Sequence, residues 1–158
     1  MTIHTTWRQI SGLTAEQIAT LQGHSARCSE ATLQSMAREC VKHNATQQRY
    51  AHVPTPAGAV TIDPWHDGYD DGPVRTFSGT SWKVPLIDDD PWIVLTPDTI
   101  TVEISGTQRS NGTIHRWVVT TFPEGGCESR YDLPATTARM LSESLAAAVA
   151  EIERLNER

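Results

Sequence analysis

Residues 99–121 read TITVEISGTQRSNGTIHRWVVTT, and the pairing of their two halves decides the fold. Apolar and polar residues alternate on both sides of Asn111-Gly112, a strong signature of a two-residue hairpin turn in which both central positions take positive φ. Centring the turn there sets Ile104 opposite Val119, Val102 opposite Thr121 and Gly106 opposite Trp117. Thr101, Glu103 and Ser105 then point the other way. One side is apolar and the other polar, as expected of an antiparallel sheet covered on one face. This register gives Trp117 a place in the core. A three-residue turn at Glu124-Gly125-Gly126 returns a further strand, whose Cys127, Ser129, Tyr131 and Leu133 join the buried side.

What covers that side follows Pro134. Ala138, Leu141, Leu145, Ala148, Ile152 and Leu155 recur at three and four residues, opposite a face with Arg139, Glu143, Glu151 and Arg154. Burying the four large apolar side chains contributes on the order of 6 to 10 kcal/mol before entropy is set against it. A coiled-coil dimer is the rival use of the same stripe.

Upstream, residues 51–91 hold six prolines and two acidic clusters, with short strands expected at 59–62, 74–78 and 82–86. The first fifty residues read as helical. Thr14 stands three residues before Gln17 in a capping-box pattern, Ile18 and Leu21 follow as an apolar stripe, and Gly23 suits a left-handed helix end. A second helix starts at Ser29 and carries Leu33, Met36, Ala37, Cys40 and Val41 on one face.

These elements make one α+β domain over residues 1–158. It has a helical segment (1–50), a β-rich meander (51–133) and a C-terminal helix (134–158) packed on one face of the sheet. The N-terminal helices are expected to pack on the meander, because Ile18, Leu21, Leu33 and Met36 make a small core alone.

Composition is that of an ordinary globular chain, with 38% apolar and 20% charged residues. No apolar run reaches the ~20 residues of a membrane span, and the first residues lack a signal-peptide pattern. Three cysteines, an odd and sparse set, fit free thiols in a reducing compartment, so the expected location is the cytoplasm. The formal charge of -6 is uneven: up to Tyr50, five Lys and Arg face three Glu, and the remainder is strongly acidic. A polyanion is therefore excluded as a partner except through the N-terminal third.

Candidate chemistry is sparse. His24, Cys28, Cys40 and His43 form a Cys2His2 set, but one metal could join them only if the chain reverses between Cys28 and Leu33. Zinc is the minority reading, and the preferred one has no cofactor, with core thiols and surface histidines. Residues 14–36 resemble a loose helix-turn-helix whose recognition helix would begin near Ser25, although only Arg27 and Gln34 suit base contacts. Asp67-Gly68-Tyr69-Asp70-Asp71-Gly72 has the opening of a calcium loop without its later ligands, so a solvated acidic turn is favoured. Cys127 after two glycines could be a nucleophile, yet the expected register separates it from His115 by roughly 27 Å. No phosphate loop, nucleophile elbow or dinucleotide fingerprint is present.

Five tryptophans remain. Trp65, with His66 beside it, and Trp92 fall in expected loops among prolines and aspartates, where an indole serves either as a binding anchor or as a rim for a small core. Trp65, His66 and Trp92 are the candidate binding residues. The Pro64-Trp65-His66 loop and the helical stripe from Ala138 to Leu155 give residues 60–155 a resemblance to small uncharacterised proteins of actinobacteria and their phages. Those proteins often carry cysteine where this chain has His66. The resemblance implies a β-meander followed by a C-terminal helix and implies no activity.

The leading expectation is a non-catalytic interaction or regulatory protein, monomeric or homodimeric, with a protein partner and no membrane. A nucleic-acid-binding regulator using the N-terminal helices is the alternative, and a small-ligand binder or enzyme comes third.

Overall fold

A computed structural model describes residues 6–68, 72–86, 99–123 and 133–157. They show the expected α+β class and divide into two compact units. One comprises Met1–Pro54 and Pro64–Pro73, the other Thr55–Asp63 and Val74–Arg158. The Pro-Trp segment thus leaves the β-rich stretch that surrounds it in sequence and joins the helical unit.

In the helical unit, α1 (Ala15–His24) begins with the capping box read from the sequence. The Thr14 hydroxyl accepts the Gln17 amide N–H at 3.2 Å, and Gln17 Oε1 accepts the Thr14 N–H at 2.9 Å. The expected left-handed stop at Gly23 does not occur, since Gly23 is not among the positive-φ glycines and α1 runs on to His24. Right-handed turns close this end instead: the Ser25 N–H and hydroxyl both donate to Gln22 O, and the Cys28 N–H donates to His24 O. The second helix, α2 (Glu30–Arg49), starts under a Ser29 cap as expected and continues a full turn and more beyond the apolar stripe.

Trp7, Leu21, Leu33 and Ala37 form the buried core here, flanked by Ile10, Leu13, Cys28 and Met36. Trp7 lies in a single 3-10 turn, its backbone N–H donating to Glu30 Oε1 at 2.7 Å. Ile18, expected beside Leu21, is 38% exposed, because the buried stripe of α1 is only one residue wide. Between the helices the Gln17 and Asn44 carboxamides bond each other reciprocally at 2.9 and 3.0 Å, and Asn44 also donates to Gly12 O. That polar lock fixes the rotation of α1 on α2 where apolar area is scarce.

The second unit is a sheet of β1 (Thr61–Ile62), β2 (Val74–Pro85), β3 (Thr99–Arg109) and β4 (Ile114–Thr121), in that order and antiparallel throughout. The two strands expected at 74–78 and 82–86 are one, with a shift in register between Ser78 and Ser81. The one extra residue at this bulge re-aims the strand, and the Thr80 hydroxyl reaches Glu151 Oε1 at 2.8 Å. Both residues belong to this unit, whose helix α3 (Ala135–Asn156) covers the sheet with Leu141, Leu145, Ala148 and Ile152 against Val102 and Ile104. Ala138, expected on that stripe, is exposed.

The hairpin departs from its reading by one residue. The Arg109 N–H donates to Thr113 O and the Gly112 N–H to Arg109 O, which leaves three loop residues, Ser110, Asn111 and Gly112. Only Gly112 takes positive φ, at 89°. Asn111 keeps negative φ and uses its side chain, Oδ1 accepting the Thr113 N–H at 2.9 Å. A three-residue loop with a left-handed glycine is the next commonest hairpin, and it slips the pairing by one. Ile104 therefore faces Val118, Val102 faces Thr120 and Gly106 faces Arg116. Because side chains alternate with period two, the slip turns all of β4 over, and Trp117 and Val119 leave the core for the opposite face.

Arg116 takes the position the slip vacates under α3. Its guanidinium stands 5.7 Å over the Phe77 ring and donates to Asn156 Oδ1 at 2.9 Å and Ala57 O at 3.0 Å. Partial burial holds its pKa below the ordinary arginine value. Gly106, directly across, leaves the space that the Phe77 ring occupies; a Cβ there would collide with the ring and with His115 O.

Candidate interaction surface

Trp65 has no free indole face. It is 2% exposed and lies 5.5 Å from the Tyr50 ring, while the Gln47 carboxamide clamps its backbone from both sides. Gln47 Oε1 accepts the Trp65 N–H at 2.9 Å and Gln47 Nε2 donates to Trp65 O at 2.6 Å, much as a neighbouring strand would. The clamp depends on α2 extending past His43, which its apolar stripe did not predict. Beside it the Lys42 ammonium meets Asp67 Oδ2 at 2.6 Å. The hydrogen bond and the opposite charge push the Asp67 carboxyl below its ordinary pKa and Lys42 above its own. Asp67, read from the sequence as part of a solvated acidic turn, is indeed largely exposed while its carboxylate accepts from Lys42 of α2; Asp70 and Asp71 lie outside the described residues.

His66 is exposed and lines a cleft of about 170 Å³ with Glu39, Lys42, His43, Thr46, Trp65 and Asp67. Ligand pockets usually run from ~300 Å³ upward, so this cleft is small for a drug-sized molecule. Trp92, the third candidate, and Cys127 lie outside the described residues.

The Cys2His2 set is scattered. His24 ends α1, Cys28 packs on the Trp7 core from the connection, and Cys40 and His43 stand one turn apart within α2. Among the described residues no three His, Cys, Asp or Glu side chains come together in a way that could hold a metal ion. The chain does reverse between Cys28 and Leu33, as a shared site requires, and α1 lies back along α2 with Gln17 beside Asn44, but the four side chains do not gather at one point. The helix-turn-helix alternative needs a recognition helix from near Ser25, but α2 begins at Glu30, so Arg27 lies in the connection and Gln34 on the helix. No helix among the described residues is long and apolar enough to cross a membrane.

The most distinctive surface is the sheet face turned away from α3. Cross-strand rows run Lys83, Thr101, Thr121; Ser81, Glu103, Val119; Ser78, Ser105, Trp117; and Thr76, Thr107, His115. None of these side chains is buried. Hydroxyls dominate the interior of the face, and the Thr76 hydroxyl donates to Asp63 from the outer end of the sheet. On β4 the texture changes: Trp117 is 37% exposed and Val119 36%, with the His115 ring 5.7 Å from the indole. Among the described residues, Lys83, Glu103 and the Asp63 carboxylate that Thr76 meets are the charges of this face.

The hydroxyl rows of β3 were legible in the sequence, since Thr101, Glu103 and Ser105 fall opposite the apolar positions whatever the loop length. Trp117 was missed because a two-residue turn was assumed. The available signal is Asn111, whose side chain can accept the Thr113 N–H while its φ stays negative, which leaves Gly112 as the left-handed residue of a three-residue loop. No family model, curated protein or solved structure matches this chain.

Proposed function

We propose that this protein is a non-catalytic protein-interaction module that docks a partner on the open face of its sheet, with Trp117 as the anchor. The observation that carries the reading is a tryptophan left over a third exposed beside Val119 and His115, on a face that α3 does not cover. Tryptophan is enriched among the residues that dominate binding energy, and such anchors work when ringed by near-neutral polar contacts that exclude water. Lys83, Ser81, Glu103 and the threonines of β3 supply that rim. Its sparse charge, two carboxylates and one ammonium among the described residues, fits a protein surface with an apolar recess and does not fit a polyanion. Kinship with actinobacterial and phage proteins belongs to the same proposal, on the strength of the Pro64-Trp65-His66 loop and the α3 stripe, and bears on the fold alone; a regulatory role would be exerted through the docked partner.

The test is photo-crosslinking inside the cells that make the protein, with benzoylphenylalanine at position 119, which leaves Trp117 in place, and, as control, at exposed position 18. A discrete protein adduct from 119 alone, lost when Trp117→Ala is added, is expected. The absence of an adduct from 119, an adduct that survives Trp117→Ala, or identical adducts from both positions would overturn the proposal.

A further inference from the structure

We draw no further inference here: the strongest candidate, the groove between α1 and α2 where Cys40 and His43 stand one turn apart beside Met36, brings two metal-type side chains together on a single helix, and nothing in the structure shows what fills it.

Discussion

Trp65 and Trp117 exchange the places that their sequence contexts assign them. Trp65 sits among prolines and aspartates, the setting of an exposed loop, and is almost fully buried. Trp117 sits in the middle of a regular strand and is over a third exposed. The first is buried because a segment without regular structure borrows its hydrogen bonds from a helix: Gln47 satisfies its backbone, and Tyr50 packs on its ring. Burial of a loop is unfavourable mainly when its amides and carbonyls go unpaired, and here they do not. The second is exposed because one loop residue decides which face of β4 meets α3. In both cases the fate of an indole was decided by backbone hydrogen bonds rather than by its own hydrophobicity.

The largest expected effect separates the two indoles directly. Trp65→Ala should destabilise the helical unit by about 3 to 5 kcal/mol, as for other large-to-small changes at buried aromatics. Trp117→Ala should cost clearly less, about 1 to 2 kcal/mol, because over a third of the ring already stands in water. Urea unfolding of the two variants, followed by circular dichroism, checks this. Equal losses would mean that the two rings are buried alike and would break the comparison.

A somewhat smaller effect tests the other side of the slip. Replacing Arg116 by Ala removes two hydrogen bonds and the guanidinium over Phe77, and should cost about 2 kcal/mol. Arg116→Lys should recover little of this, since an ammonium cannot reach Asn156 and Ala57 as a planar fork does. If β4 instead had Trp117 inward, Arg116 would stand in solvent, and both variants would melt with the parent.

The loop itself gives a third, finer test. Gly112→Ala forces a Cβ into positive φ and should cost about 1 kcal/mol. Asn111→Gly should cost about as much, because Asn111 already has ordinary φ, so the change loses the bond to the Thr113 N–H and adds backbone freedom to the unfolded chain. A two-residue turn would need positive φ at both positions, and Asn111→Gly would then stabilise. Thermal midpoints of the two variants tell these cases apart.

The smallest effect concerns the ion pair that fastens the Trp65 segment. Asp67 titrates below the ordinary carboxylate value of 3.8 because Lys42 favours its charged form. A lowered folded pKa contributes stability that is fully present above the unfolded value, and loses it as pH falls through the folded value. The parent should therefore lose slightly more stability than Lys42→Met between pH 5 and pH 2. At the alkaline end Lys42, raised above 10.5, contributes below that value and loses its contribution as pH climbs through the folded one. Both groups are solvent-exposed, so the difference should shrink in high salt. Paired acid titrations of stability at low and high salt would show it; curves that superimpose at low salt would mean that the pair does not hold the segment.

Much of the fold was legible. Thr14 with Gln17 and Ser29 marked two helix starts, and the stripe from Leu141 to Leu155 marked a helix on a sheet. Each of these is a local pattern whose cause lies within a few residues: a cap bonds an amide two or three positions away, and a helical stripe repeats every turn. The misplaced features needed distant partners. Gly23 was read as a helix stop, but Ser25 and Cys28 close the turn without a left-handed residue. The residues at 79–81 were read as a turn between two strands. Pairing with β3 on both sides of them makes a bulge instead, and Gly79 is buried there, close to Gly58 and Ile104.

The site was less legible than the fold for the same reason. Trp65 and His66 were recognised as notable residues, and the structure places both at one cleft on α2, but it spends the indole on packing. Cys40 and His43 were recognised as ligand types, and they share a helix face without a third ligand among the described residues. Residue type announces what a side chain can do. Availability depends on what the rest of the chain has already asked of it.

By itself, the sequence determined the helix starts, the alternation of β3, the apolar stripe of α3 and the α+β class, because each rests on periodicity or capping within one element. The tertiary structure alone decided the register of β4, the exposure of Trp117, the burial of Trp65 and the strut made by Arg116. Those depend on which of two nearly equal loop geometries pairs best across the sheet, and on hydrogen bonds between residues far apart in the chain, neither of which leaves a local pattern to read.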